Sequence, residues 1–347
     1  MLRLPDAWTW DFWLADTGQE YHLFFLRASR ALRAPDRRHY RASVGHAVSV
    51  DLFNWSLLPD ALVPGDRPAF DDIATWTGSV VQGPDGLWYM YYTGISAEEN
   101  GMVQRIGLST SEDLIRWTRH SDFTILSADE RWYEKLGTSS WTNEAWRDPW
   151  VFRDPGGNGW HMFVTARSCE GEVDSRGVVG HLVSMDLVHW EATSPLTSSN
   201  SGFGVLEVMQ VEEVEGKSVL LFSCLHPEMS ASRREAEVKG GIWVASGDDL
   251  LSGFDIASAY RLSDDRLYSG RLVRNRLGKW MMLAFHNQDE NGEFVGEVSD
   301  PIPVGWDEEG RLVLFESAPT LQLVRDRQMS ETSSLERSYL SSRVAEA

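Results

Sequence analysis

The chain has 347 residues, of which 52 are acidic and 32 are Lys or Arg, so its formal net charge is −20 at pH 7. A surplus of negative charge repels polyanions, and we therefore expect no nucleic-acid partner. No apolar run reaches the ~18 residues that a membrane-spanning helix requires, so we expect no membrane partner either.

A short phrase of Ser, Asp, Leu and an aromatic residue recurs along the chain, each time after an apolar run typical of a strand. The phrases are Ser49-Val50-Asp51-Leu52…Trp55, Ser111-Glu112-Asp113-Leu114…Trp117, Ser184-Met185-Asp186-Leu187…Trp190, Ser246…Asp249-Leu250…Phe254 and Ser299-Asp300…Trp306. The apolar runs ahead of them are His22–Leu26, Trp88–Thr93, Trp160–Thr165, Val219–Cys224 and Trp280–Phe285. A repeat of about 50 to 75 residues accommodates four strands with their loops.

Five such units that close on themselves predict an all-β fold, a five-bladed β-propeller with the first strand of every blade at the axis. The alternative, a β-sandwich, would make five ordered copies accidental. We predict one propeller domain over residues 1–324. Residues 325–347 lack the repeat, and we predict a C-terminal tail there, either helical or frayed.

The segments just ahead of the apolar runs are the predicted inner strands, and three of the five contain one carboxylate in an apolar or aromatic setting. These carboxylates are Asp11, Asp148 and Glu207. Alone, each could cap a turn or pair with an Arg. A carboxylate among aromatic side chains is costly unless something uses it, so three at matching positions predict a glycosidase site in the axial funnel.

Other polar residues are weaker candidates. Glu212 and Glu213 compete with Glu207, but the adjacent Glu-Gly-Lys turn predicts that they lie on the outer, solvated part of a hairpin. Glu144 either lines the leaving-group side of the site or is a loop residue. No second His accompanies His46 at metal-ligand spacing, so we predict no metal and no cofactor.

Particular motifs resemble a known family. The block Gly45-His46-Ala47-Val48-Ser49-Val50-Asp51-Leu52-Phe53-Asn54-Trp55, continued to Trp76-Thr77-Gly78-Ser79, is similar to glycoside hydrolase family 32, the invertases and fructanases. Arg147-Asp148-Pro149 resembles that family's Arg-Asp-Pro motif, and Glu207 followed by Gly216–Ser223 resembles its acid/base segment. Trp10-Asp11-Phe12-Trp13 is closer to the Trp-Asp-x-Trp of family 68, the levansucrases.

The chain also departs from the family 32 pattern. The Asn and Pro that flank the family's nucleophile are absent, and Val208-Met209 stands where Cys-Pro usually follows the acid/base. The chain ends soon after the fifth repeat, so we expect no C-terminal β-sandwich of the family 32 kind. These departures leave the substrate open.

The resemblance implies a role for each carboxylate. Asp11 would be the nucleophile, Glu207 the general acid and base, and Asp148 the acceptor of hydrogen bonds from ring hydroxyls. The residues implied to contact the sugar are Trp10, Trp13, Trp76, Thr77, Arg147 and Tyr268.

The predicted activity is that of a retaining furanosidase, foremost a β-fructofuranosidase that cleaves sucrose or short fructo-oligosaccharides through a covalent glycosyl-enzyme. The predicted partner is therefore a small-molecule sugar, and the sequence leaves the oligomeric state undecided. Three alternatives stay open: an inverting arabinofuranosidase or xylosidase of the family 43 type, a fructosyltransferase, and a propeller that binds sugar without catalysis.

The compartment is predicted from the N-terminal segment and the cysteines. Because Trp8–Trp10 already begins the first strand, no leader is expected, and we predict a cytoplasmic protein. A reducing compartment predicts that Cys169 and Cys224 are free thiols, and we place both in the core.

Overall fold

In the computed structural model, which describes residues 1–315, five antiparallel sheets follow one another along the chain. Blade one contains β1 (Ala7–Asp16), β2 (Tyr21–Ser29), β3 (Ser43–Ser49) and β4 (Ser56–Leu62). Blade two contains β5 (Ala74–Gln82), β6 (Trp88–Ile95), β7 (Gln104–Ser111) and β8 (Thr118–Arg119). Blade three contains β9 (Trp146–Arg153), β10 (Trp160–Arg167), β11 (Gly177–Ser184) and β12 (Trp190–Ala192). Blade four contains β13 (Glu207–Val214), β14 (Lys217–Cys224), β15 (Gly241–Gly247) and β16 (Tyr260–Ser263). Blade five contains β17 (Leu267–Arg274), β18 (Trp280–Gln288), β19 (Phe294–Val298), β20 (Ile302–Trp306) and β21 (Leu312–Leu314).

Helical structure is sparse in this part of the chain. The one α-helix is α1 (Ala231–Ala236), which lies in the polar segment after β14. Short 3-10 turns are formed by Arg30–Leu32, Pro35–Tyr40, Val173–Ser175 and His226–Glu228. No helix within residues 1–315 has the length and apolar character needed to span a bilayer.

The five sheets form a closed ring. Each first strand contacts the first strands of the two neighbouring blades, in the order β1, β5, β9, β13, β17 and back to β1. The N-terminal segment helps to close the ring, because the backbone groups of Leu2 and Val298 exchange two hydrogen bonds of 3.0 Å. The predicted five-bladed propeller is confirmed.

Blade five differs from the prediction of four strands. Its third position is shared by β19 and β20, which both pair with β18, so this sheet has five strands. In every blade the second strand contains the predicted apolar run. The predicted tail at 325–347, and the last part of the predicted 1–324 domain, lie outside the described residues.

The recurring phrase forms the turn between the third and fourth strands of blades one to three. The Oδ1 atom of Asp51 accepts hydrogen bonds from the backbone N–H groups of Phe53 at 2.9 Å and Asn54 at 2.8 Å. The same pair of backbone bonds recurs at Asp113 and Asp186. The turn places Leu52 at φ 69° with its side chain buried, so Asp holds the turn and Leu anchors it in the core.

The cysteine prediction is half right. Both cysteines are free, and Cys224 is buried in blade four as predicted. Cys169, however, is exposed. It follows the end of β10, where the chain has already left the packed sheet, so the prediction that it is a core thiol is wrong.

Candidate active site

A β-bulge interrupts every inner strand at the same level of the ring. The register of pairing with the second strand shifts between Trp10 and Phe12, between Trp76 and Gly78, and at corresponding points of β9, β13 and β17. In four of the five bulges one residue has positive φ: Asp11 (22°), Asp148 (57°), Val208 (49°) and Ser269 (53°). Such backbone is uncommon for residues other than Gly and clusters at functional sites.

The bulges bring Asp11 against the two neighbouring blades. Its Oδ2 accepts a hydrogen bond from Oγ1 of Thr77 at 3.0 Å, and its Oδ1 accepts one from Oγ of Ser269 at 2.5 Å. Burial raises the pKa of Asp11, while the two hydroxyl donors act in the opposite direction by stabilising the ionised form. Asp11 is thereby a carboxylate fixed by hydroxyl groups, with no cation in contact with it among the described residues.

Asp148 lies deeper in the funnel and is only 3% exposed. Its Oδ2 accepts hydrogen bonds from Oγ1 of Thr165 at 2.8 Å and from the backbone N–H of Val208 at 3.2 Å. Nε of Arg147 lies 3.5 Å from the same oxygen. Burial raises the pKa of Asp148 to about 6, against the lowering effect of the adjacent Arg147 charge.

Glu207 is held by a cation on one side and a phenol on the other. Nη2 of Arg147 donates to its Oε1 at 2.5 Å, and the hydroxyl of Tyr268 donates to its Oε2 at 2.5 Å. Arg147 also donates through Nη1 to Oε1 of Gln104 at 2.9 Å. Arg147 therefore links two of the three carboxylates, Asp148 and Glu207.

Hydroxyl groups of the second strands support the bulges from behind. Oγ1 of Thr93 donates to the carbonyl of Thr77 at 3.0 Å and accepts from the backbone N–H of Asp148 at 3.0 Å. Oγ of Ser223 accepts from the backbone N–H of Ser269 at 3.0 Å. The contacts at Asp148 and Ser269 each join neighbouring blades, so the strained backbone there is held by the closure of the ring.

The three carboxylates line one cavity of about 170 Å³. Its walls are formed by Trp10, Asp11, Leu26, His39, Trp76, Thr77, Gln104, Asn143, Arg147, Asp148, Glu207, Val208 and Glu228. Sites for drug-sized ligands usually measure about 300–1,000 Å³, so this cavity suits a ligand of the size of a single sugar ring.

Two of the residues predicted to contact the sugar lie outside this wall. Trp13 is fully buried in blade one and stacks on Phe24, with ring centroids 6.1 Å apart. Tyr268 is not part of the lining and contacts Glu207 from behind. The structure therefore brings together Trp10, Trp76, Thr77 and Arg147 with the carboxylates, and assigns Trp13 to the core of the blade.

Two ionisable residues of the cavity, Glu228 and His39, were not predicted from the sequence. Glu228 ends the 3-10 turn after β14, and burial together with the Glu207 charge raises its pKa to about 8. His39 lies in the turn Pro35–Tyr40, and burial with the charge of Arg38 lowers its pKa to about 3. Both residues lie in turns between the second and third strands of a blade, and these turns are not part of the repeated pattern. The one sequence signal for them is that a polar segment lengthens the connection at these two places.

The competing acidic residues lie elsewhere. Glu212 is half-buried and Glu213 exposed towards the far end of β13, and neither lines the cavity. Glu144 is buried outside the cavity, where it pairs with Lys135. His46 stacks on Phe24, and its Nε2 lies 3.0 Å from Nδ1 of His22, which makes it a packing residue of blade one. Among residues 1–315, no group of three His, Cys, Asp or Glu is placed to hold a metal ion.

Carboxylates that face one small cavity can carry out glycoside hydrolysis, which needs a carboxylate beside the anomeric carbon and a carboxylic acid beside the leaving oxygen. Asp11 and Glu207 reach the cavity from blades one and four, so two separate strands present the two groups. Asp148, from blade three between them, adds a third acceptor.

Comparison with known proteins gives a consistent result. The model of the glycosyl hydrolases family 32 N-terminal domain matches residues 13–294, a range that begins just after Asp11. Beta-fructofuranosidase 1 of Zea mays is 30% identical over 180 residues, 50% of this chain and 25% of its own length. Sucrose:sucrose 1-fructosyltransferase of Festuca arundinacea is 28% identical over 281 residues, 75% of this chain and 39% of its own length.

Solved structures share the fold. An inulosucrase from Halalkalicoccus jeotgali bound to kestose has a TM-score of 0.74 at 20% identity and covers 90% of each chain. The catalytic domain of a Microbacterium saccharophilum K-1 beta-fructofuranosidase has a TM-score of 0.70 at 17% identity, over 91% of this chain and 84% of that one. The chain thus spans a quarter to two fifths of the two curated relatives, but most of each of these structures.

Proposed function

The chain belongs to glycosyl hydrolases family 32, and we propose that it is a retaining furanosidase that cleaves β-fructofuranosides such as sucrose or short fructo-oligosaccharides. The observation that carries this proposal is the meeting of Asp11, Asp148 and Glu207 in one cavity of about 170 Å³. The cavity is small, acidic and walled by Trp10 and Trp76, which suits a neutral sugar ring with a hydrophobic C–H face.

In the first step a carboxylate oxygen of Asp11 attacks the anomeric carbon, and the bond from that carbon to the leaving oxygen breaks. Glu207 transfers its proton to the leaving oxygen, so the aglycone departs as a neutral alcohol. The hydroxyls of Thr77 and Ser269, which donate to both oxygens of Asp11, aim the carboxylate before the sugar binds.

In the second step water attacks the anomeric carbon of the glycosyl-enzyme. Glu207, now ionised, accepts a proton from the water, and the bond between the sugar and Asp11 breaks to restore the carboxylate. Tyr268 suits both states of Glu207, because a phenol donates to the carboxylate and can accept from the carboxylic acid.

Asp148 contributes through its charge. Positive charge develops on the sugar ring in an oxocarbenium-like transition state, and an ionised Asp148 accepts hydrogen bonds from ring hydroxyls that strengthen as this charge grows. The backbone N–H of Val208 and the hydroxyl of Thr165 fix the direction of its lone pairs.

Transfer of the fructosyl group is the second candidate. It is favoured by the relative matched over the largest share of this chain among those described, a sucrose:sucrose 1-fructosyltransferase. The chemistry differs only in the second step, where a sugar hydroxyl replaces water, so the same residues serve both reactions.

The experiment is a screen of sucrose, short fructo-oligosaccharides, nitrophenyl arabinofuranosides and nitrophenyl xylosides, with the configuration of the first-formed product read by NMR. We expect fructose release with a first product of retained configuration, and no release by Asp11→Ala. A product of inverted configuration, or release only from the arabinoside or xyloside, would contradict the proposal. The ratio of fructose to glucose freed from sucrose separates hydrolysis from transfer.

A further inference from the structure

One wall of the cavity comes from outside the propeller repeat. The turn Pro35–Tyr40 lies between β2 and β3 of blade one and places His39 at the cavity. The imidazole stands between two tryptophans, with its centroid 6.1 Å from that of Trp10 and 6.1 Å from that of Trp76, at 75° to each ring. The imidazole therefore forms an edge-to-face pair with each tryptophan.

The backbone of His39 is fixed while its ring nitrogens are available. Nε1 of Trp76 donates a hydrogen bond of 2.7 Å to the carbonyl oxygen of His39. Within residues 1–315, neither ring nitrogen of His39 has a hydrogen-bond partner. A half-buried imidazole that lines a small cavity thus keeps one donor and one acceptor that no group within residues 1–315 uses.

The charge of the cavity restricts what can fill it. Asp11 and Asp148 supply negative charge, as Glu207 does when it is ionised, and Arg147 is the one cationic side chain among the described lining residues. Arg147 is already engaged by Glu207, Asp148 and Gln104. Arg38 lies over the ring of Trp10, 5.4 Å from its centroid, and is not part of the lining. A phosphate or carboxylate on the sugar would find no unpaired cation there and would be repelled by the carboxylates.

His39 adds no cation to this wall. Burial and the neighbouring charges of Arg38 and Arg147 lower the pKa of His39 to about 3, so its imidazole is neutral at pH 7. A neutral imidazole has one N–H donor and one acceptor nitrogen, which match a hydroxyl group, and it brings no charge to attract an anion.

From this wall we propose that His39 is a substrate-binding residue that hydrogen-bonds a hydroxyl of the sugar, and that the site accepts uncharged sugars and rejects their phosphate esters. This inference rests on the proposed function for the identity of the sugar class. It goes beyond that function by naming a residue outside the repeat and a charge requirement for the substrate.

The test is isothermal titration of the Asp11→Ala chain, which cannot form the glycosyl-enzyme, with sucrose and with sucrose phosphorylated on a primary hydroxyl of the fructose ring. The Asp11→Ala chain is the parent, and three further chains add His39→Ala, His39→Asn or Arg37→Ala to it. Arg37 is exposed in the same turn and away from the cavity, so Arg37→Ala is the matched control.

We expect His39→Ala to weaken sucrose binding at least tenfold, His39→Asn to weaken it less because an amide keeps a donor and an acceptor, and Arg37→Ala to leave it unchanged. Phosphorylated sucrose should bind the parent at least tenfold more weakly than sucrose. Equal binding of sucrose by the parent and both His39 variants would overturn the inference, as would equal binding of the two sugars by the parent.

The failure of this inference can be told apart from the failure of the proposed function. If the parent binds sucrose with the expected dependence on His39 but the wild-type chain cleaves nothing, catalysis fails and the binding role stands. If the wild-type chain cleaves sucrose and the His39 variants bind and cleave it equally well, the binding role fails and the proposed function stands. Absence of any sugar binding by the parent contradicts both.

Discussion

The hydroxyl of Tyr268 in blade five donates a 2.5 Å hydrogen bond to Oε2 of Glu207 in blade four. This contact crosses the boundary between two blades, so the orientation of the proposed acid depends on the closure of the ring. Tyr268 is buried, and its ring packs edge-on against Phe285 with centroids 5.9 Å apart.

The first prediction removes this contact. Tyr268→Phe keeps the ring and its packing but deletes the hydroxyl, so we expect kcat/KM on sucrose to fall about 10- to 100-fold through kcat, with little change in thermal stability. Steady-state kinetics on sucrose and on a nitrophenyl fructoside measure it. Because nitrophenolate needs less protonation to leave, kcat/KM on the nitrophenyl fructoside should fall less than kcat/KM on sucrose. An equal fall on both substrates would mean that Tyr268 acts on something other than Glu207.

The second prediction separates the roles of the carboxylates by leaving group. Glu207→Ala should lower turnover of sucrose severely but that of a nitrophenyl fructoside far less, because nitrophenolate departs without a proton. Added azide should then accelerate the variant by attacking the glycosyl-enzyme, giving an azide product of retained configuration. Rescue of Asp11→Ala instead, or an inverted azide, would reverse the assignments.

The third prediction concerns the acid side of the pH profile. Asp148 must be ionised to stabilise positive charge on the sugar, and burial raises its pKa to about 6, so kcat/KM should fall on the acid side as the pH drops through 6. The hydroxyl of Thr165 stabilises the ionised form through its 2.8 Å hydrogen bond. Thr165→Val should therefore move the acid limb to higher pH. A limb that stays in place would show that another group sets it.

The fourth prediction concerns the stability of the fold. Glu228 has a pKa raised to about 8, so the folded chain binds this proton more tightly than the unfolded chain does, and the free energy of unfolding falls as the pH rises from about 4.5 to 8. Glu228→Gln has no proton to release there, so this decrease in the free energy of unfolding should not occur in the variant. We expect its Tm to exceed that of the wild type at pH 8 by about 2 °C or more, with a smaller difference at pH 4.5.

The matched control for Glu228 is Glu213→Gln, which changes an exposed Glu of the same blade. It should leave the Tm difference between the two pH values unchanged. If Glu213→Gln and Glu228→Gln raise the Tm at pH 8 equally, net charge rather than the burial of Glu228 explains the effect.

The fold could be predicted from the sequence because its signals are local. The carboxylate of Asp51 bonds the next backbone N–H groups, and Leu52 takes up positive φ to enter the core, so the phrase encodes a turn wherever it occurs. The aromatic runs fill second strands for an equally local reason, since alternating bulky residues pack on both faces of a blade. Five copies of local signals are sufficient to predict a ring.

The cavity was less predictable because it depends on contacts between blades. Trp10 and Trp13 read alike in the sequence, yet Trp10 pairs with Leu26 at the cavity while Trp13 pairs with Phe24 two positions further along the blade. The bulge at Asp11, which sets this register, is held by Thr77 and Ser269 from other blades. His39 and Glu228 reach the cavity from turns outside the repeat, where no periodicity marks them.

The measurement that tests the central claim most directly is the capture of the glycosyl-enzyme. A Glu207→Ala chain, loaded with a nitrophenyl fructoside and quenched in acid, should accumulate a covalent adduct because the first step is still possible and the second lacks its base. Digestion and tandem mass spectrometry should locate one added sugar residue on the carboxylate of Asp11, and none in Asp11→Ala. An adduct on another residue, or turnover of the substrate with no adduct and an inverted product, would contradict the account.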